Sequence, residues 1–176
     1  DLRMSRGLGD VYKRQDLTGT YLTKRHYPSI MFEAVKDKIR TFCQNYTIED
    51  VNGRDLSVDL GEICHYLTDF FCYPHNDDIY PHNLLAHYIY EKRVALCLGH
   101  SLTQAHFEGW VSDVVAPFTV EALISRIETL HAKYHALPQH GIVSDMEFIC
   151  QVTTLCVKGV INIAYASGEE KTSVTA

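Results

Sequence analysis

The chain has 176 residues, 46% of them hydrophobic and 22% charged, which is ordinary globular composition and enough length for one domain with its own core. Its formal charge is −6 and its pI about 5.9. An acidic chain with no Lys/Arg cluster beyond its first fifteen residues is not expected to bind nucleic acid, which selects a basic face.

Residues 1–15, with the string GLGDVYKRQ, resemble translated sequencing-adapter read-through and are set aside from fold reasoning. The domain reading is therefore 1–15 non-native, 16–168 a helical bundle and 169–176 a polar tail. Ile30, Phe32, Val35, Ile39, Phe42 and Cys43 recur at spacings of three and four, predicting a first amphipathic helix. Leu60, Ile63, Cys64, Leu67, Phe70 and Phe71 predict a second, over about 57–73, with Asp55 or Ser57 as its cap. The stretch 74–78 breaks or kinks the chain before a turn-rich helix that runs through Arg93. A helix over 94–115 follows. Pro117 and Thr119 then open another over 120–136, and 138–144 is a loop.

The last segment, 145–166, holds Val152, Thr153, Thr154, Val157, Val160, Ile161 and Ile163, whose β-branching lowers helix propensity. It has no partner strands, so it reads as a helix. Gln151, Lys158 and Asn162 interrupt its apolar run, so it reads as a buried terminal helix and no membrane is expected as a partner. Short connections between long helices imply antiparallel neighbours: an all-α, up-down four-helix bundle with an additional C-terminal helix. The six cysteines form no CxxC and lie in apolar surroundings, which favours free buried thiols and a cytoplasmic location.

Ten histidines are the chain's chemical signature. Imidazole and carboxylate hold iron, zinc or manganese, and a bundle offering one or two such groups per helix can close around a metal. His75, Asp78 and His82 share a face if their segment is helical; Pro, Asn and Asp in the same stretch also build turns. His131 and His135, one turn apart, are rivals to His140, and His100 is a rival to His106. Nothing marks a cysteine as an activated nucleophile, and phosphate-binding glycine loops and Gly-x-Ser-x-Gly elbows are absent.

The run from Leu60 to Tyr80, ending in Tyr73-Pro74-His75-Asn76-Asp77-Asp78, resembles the second-helix box of the hemerythrin-like (HHE cation-binding) family. Leu22 to His26 resembles that family's first-helix pattern, Leu102 to His106 its third-helix histidine, and His140 to Glu147 its fourth-helix histidine with following carboxylates. The resemblance implies a centre of two non-haem irons held by His26, His75, Asp78, His106, His135, His140 and Asp145. Dioxygen or metal ions would be its partners, and binding or sensing of oxygen or iron its function. Two other readings stand beside it. One is a metal-free helical module that regulates or binds a protein partner; the other is a metal-dependent oxidase. The first requires that the named imidazoles and carboxylates meet at one point.

Overall fold

A computed structural model describes residues 27–47, 54–80, 83–100 and 102–174. Among these residues there are six α-helices and no strand: α1 (Pro28–Asn45), α2 (Arg54–Phe70), α3 (Leu84–His100), α4 (Gln104–Val111), α5 (Val120–His135) and α6 (Ile142–Val174). A single 3₁₀ turn, Tyr73–His75, stands between α2 and α3. The all-α bundle with a C-terminal helix is thus observed.

Each helix starts where the local chemistry allows it. Pro28 occupies the first turn of α1, where its missing N–H costs nothing. Thr119 caps α5 by accepting a hydrogen bond from the Ala122 N–H, while Glu121 in the first turn and Lys133 and His135 in the last complement the helix dipole. Thr103 caps α4 in the same way, through the His106 N–H. That cap corrects the expectation of one helix over 94–115. The chain leaves the helix at His100 and starts a new one at Gln104.

The apolar stripe of α1 is buried at Met31, Val35, Ile39 and Phe42. It packs on Ile63, Leu67, Phe70 and Phe71 of α2 and its end, and on Leu123, Ile124 and Ile127 of α5, in one continuous core. Across the surface, the Arg40 guanidinium bonds both oxygens of Glu121, at 2.9 and 3.1 Å, joining α1 to α5.

The C-terminal helix is the central one, packed against each of the other five. Val152, Leu155, Cys156, Val160 and Ile163 are buried along it. A β-branched residue costs a helix up to about 0.7 kcal/mol in propensity. Burying the same side chain returns roughly 1.5–3 kcal/mol, so burial decides. Gly159 lets α6 approach α5: a Cβ there would lie 2.7 Å from a methyl of the fully buried Leu123. By length and composition Ile142–Ser167 would suffice to cross a bilayer, but half of its apolar window is buried inside the bundle. All six cysteines are free.

Candidate metal centre

The richest cluster of ligand-type side chains forms where α2 ends and α3 passes beside it. After Phe70 the chain turns, and Pro74 sets the 3₁₀ turn that aims His75 at α3. On α3, His87 and Glu91 are one turn apart and so share a face. Glu91 Oε1 lies 2.8 Å from His75 Nε2 and 2.8 Å from His87 Nε2, and the two imidazole nitrogens are 3.3 Å apart. Asp69 and His65, one turn apart on α2, extend the group: Asp69 Oδ1 is 3.9 Å from His75 Nε2, and Asp69 Oδ2 is 3.6 Å from His65 Nε2.

The cluster is walled on one side and open on the other. The Tyr27 ring stands edge-on to His75 and the Tyr80 ring edge-on to His87. The side chains of His75 and His87 are 10% and 19% exposed, whereas that of Glu91 is 41% exposed, so access is over the carboxylate. Burial raises the Glu91 carboxyl, but hydrogen bonds and charge from His75 and His87 outweigh it and bring the group down to about 2. Glu91 is therefore an anion at any physiological pH.

These donors fit zinc. Ligand atoms around a tetrahedral zinc with bonds of about 2.0–2.1 Å lie roughly 3.3 Å apart. The three atoms here come from three residues on two segments and already lie 2.8–3.3 Å from one another. Two imidazoles with one carboxylate make a three-ligand set that leaves a fourth position for water or substrate, the pattern of a catalytic zinc.

Behind the cluster, Asp145 is fully buried. Its carboxylate accepts hydrogen bonds from the Tyr73 N–H (2.9 Å), the Tyr90 hydroxyl (2.8 Å) and the Tyr134 hydroxyl (2.8 Å). Burial raises its pKa, and the three donors oppose that rise. Tyr73 precedes His75 by two residues and Tyr90 precedes Glu91 by one, so this one acid ties together the two segments that supply the cluster.

A second group lies on the other side of the 3₁₀ turn. His135 Nε2 bonds Asn76 Oδ1 at 2.8 Å, and His135 Nδ1 is 3.3 Å from Asp78 Oδ2. The ring of His131 is 4.5 Å from that of His135 and is enclosed by Phe32 and Phe71. Burial, then the neighbouring His135, push His131 from 6.5 down to about 4. Between those values the unfolded chain takes up a proton that the folded chain refuses, so stability rises with pH across the window. Acidifying the metal-free protein from about 6.5 to about 4 is therefore expected to lower its urea midpoint. The same series on His131→Phe should give a shallower slope, and an unchanged slope would refute the assignment.

The seven residues anticipated as ligands are thus distributed. His75 is in the cluster. Asp78 and His135 meet each other beyond it. Asp145 is a buried acceptor of three hydrogen bonds from the protein. His140 stacks on Tyr73, with ring centroids 5.3 Å apart. His106 is exposed on α4 and stacks on Trp110. His26 lies outside the described residues, as does His82. The shared helical face expected of His75 and Asp78 does not form, because Pro74 and Asn76 hold a 3₁₀ turn and a cap there instead. The sequence reading singled out none of His65, Asp69, His87 and Glu91 as ligands. Two i, i+4 pairs carried the missing signal: His65-x-x-x-Asp69 and His87-x-x-x-Glu91, flanking the Pro-His turn.

Fold and site together define a helical bundle with a metal-type His/carboxylate cluster at one end. Residues 11–140 match the family described as zinc dependent phospholipase C, and the chain belongs to that family. No curated protein and no solved structure matches it. The family match overturns the hemerythrin-like resemblance and, with it, the two-iron centre and the binding or sensing of oxygen or iron. It points to zinc, and it gives the metal-free regulatory module no support either. The resemblance arose from a His-bearing helix that runs into a Pro-His-acid stretch. In this chain the helix ends at Phe70, and the break expected over 74–78 is the 3₁₀ turn that carries His75.

Proposed function

We propose that the chain binds zinc through His75, His87 and Glu91 and hydrolyses the phosphodiester of phospholipids, adding water across the bond between phosphorus and the glycerol oxygen. The products would be a diacylglycerol and a phosphorylated headgroup. The observation that carries this reading is the convergence of three donor atoms within 2.8–3.3 Å on the exposed edge of α3, in a chain of this family. Zinc, when bound, supplies a Lewis acid for the phosphoryl oxygen and a water acidic enough to attack at neutral pH.

The protein's part is to hold and orient. His75 is fixed by the 3₁₀ turn, and His87 and Glu91 by their helix. Asp69 lies within 4 Å of His75 and of His65 and would add a carboxylate to the donor set. The rings of Tyr27 and Tyr80 stand edge-on to the two imidazoles and leave the Glu91 edge for the substrate. The test is release of phosphorylated headgroup from phosphatidylcholine micelles. Activity is expected with zinc, loss with chelator and recovery when zinc is returned. Activity indifferent to the chelator would refute the reading.

A further inference from the structure

We propose that the outer face of α3 docks the protein onto a phospholipid surface and so brings lipid headgroups to the open edge of the His75 cluster. The inference rests on the phospholipase reading above and names the surface from which that site takes its substrate. Leu85, Tyr88, Ile89 and Leu96 are between 49% and 69% exposed. A helix turns by about 100° per residue, so these four fall in one stripe about 100° wide, with Lys92 inside it. Val94, which is buried, lies on the opposite side of the helix, and α3 packs on α6. α3 is thus apolar on both faces, where a helix at the surface of a bundle normally turns a polar face to water.

A contiguous apolar stripe left in water marks an interaction surface. Three observations identify what covers this one. The first is position. Glu91 follows Tyr88 by three residues and is its neighbour round the helix, so the stripe borders the edge over which the cluster is open. The second is the Lys92 amine, which lies 5.2 Å from the centroid of the Tyr88 ring. Tyrosine and lysine are side chains that rest an apolar body in the acyl layer and keep a polar end among the headgroups. The third is charge. Leu84–His100 contains a single acid, Glu91, which two imidazoles hold, against Lys92 and Arg93, in a chain of net charge −6. This helix is a cationic element of an acidic protein, complementary to phosphate oxygens. A second copy of the chain seated here would set Lys92 and Arg93 against their own counterparts, which like-charge repulsion opposes.

In this arrangement α3 lies in the plane of the interface and does not cross it. A helix of that kind sinks its apolar face roughly 5–10 Å into the boundary between headgroups and acyl chains. Leu85, Ile89 and Leu96 enter the acyl layer, Tyr88 and Lys92 stay among the headgroups, and the Glu91 edge comes level with the phosphates.

Flotation of the full chain with phosphatidylcholine vesicles tests the docking, with chelator present so that neither zinc nor turnover affects the result. The wild type is expected to float with the vesicles. Leu85→Gln/Ile89→Gln should partition at least about tenfold more weakly, because two aliphatic side chains lose the apolar phase. Lys92→Glu should weaken partition as well. Phe118→Gln removes an exposed ring two residues from Ala116, whose carbonyl bonds Asn162, roughly 25 Å along α6 from Asp145. It should float like the wild type. A wild type that stays in the soluble fraction, or an equal loss in Phe118→Gln, would overturn the proposal. So would a wild-type dimer, read by light scattering, that the double variant converts to monomer with its partition unchanged. Hydrolysis separates docking from chemistry. With zinc, the double variant should cleave a monomeric short-chain phosphatidylcholine as fast as the wild type, and vesicle lipid more slowly in proportion to its lost partition. A wild type that floats but cleaves neither lipid would keep the docking surface and refute the phospholipase reading.

Discussion

Glu91→Gln is expected to lower zinc affinity by more than about 100-fold, since even outer residues that only orient a metal ligand cost about 10–100-fold. Hydrolysis should fall at least in proportion. The substitution is nearly isosteric, so what it removes is charge and an acceptor. Glu91 Oε1 is the one atom within 2.8 Å of both imidazole nitrogens, and it keeps its negative charge far below neutrality. An amide has a weaker acceptor there, and its N–H₂ face would repel a cation. His87→Ala should match it, because it removes the second imidazole from the same helical face. Glu91 is 41% exposed and Gln is nearly its shape, so circular dichroism should change little in Glu91→Gln. Affinity read by competition with a chromophoric chelator separates this outcome from general unfolding. Wild-type affinity in Glu91→Gln would remove the carboxylate from the ligand set.

Asp145→Leu has the largest expected effect on stability, about 3–5 kcal/mol, the range found when one partner of a buried charged network is removed. At roughly 2–4 °C per kcal/mol for a chain of this size, the melting temperature should drop by roughly 6–20 °C. The cause is the set of donors left behind. The Tyr90 and Tyr134 hydroxyls and the Tyr73 N–H all end on this carboxylate, in a part of the core that water does not reach. Each unpaired donor costs about 1–3 kcal/mol.

Tyr134→Phe and Tyr90→Phe divide the effect. Tyr134 belongs to α5 and supports no member of the cluster, so its variant should lose stability and keep zinc affinity. Tyr90 stands beside Glu91, so its variant should lose both. Equal zinc affinities in the two variants would show that Asp145 supports the fold alone.

The fold was legible because the apolar spacing is regular. Met31, Val35, Ile39 and Phe42 on α1 and Ile63, Leu67 and Phe70 on α2 lie one turn apart and are all buried. The β-branched run of α6 read as a helix only for want of partner strands, and its place at the centre of the bundle was not legible. That place is a tertiary fact, set by how much surface five neighbours cover. The start of a new helix at Gln104 was missed because Thr103 as a cap resembles any mid-helix threonine.

The site was legible at one residue in the cluster, His75, because a Pro-His-Asn-Asp stretch is conspicuous. His87 and Glu91 were not singled out as ligands because they sit in a helix of mixed polarity, where an i, i+4 His-Glu pair resembles an ordinary surface ion pair. Only the fold brings that pair against the turn of α2. Asp145 was expected to be a metal ligand, and its spacing could not tell a ligand from a hydrogen-bond hub. That distinction depends on three tyrosine and backbone donors drawn from 55 and 72 residues away, and from 11 residues away, along the chain.

The position of α6 also bears on how the molecule is made. The pillar on which the other helices lean follows all of them in the chain, so the surfaces it covers on the five earlier helices stay uncovered during synthesis until Ile142 to Ile163 emerges. Contacts spanning most of the chain must then form together. Completion of the core therefore waits on the C-terminal helix, and until then the growing chain keeps apolar surface open to water.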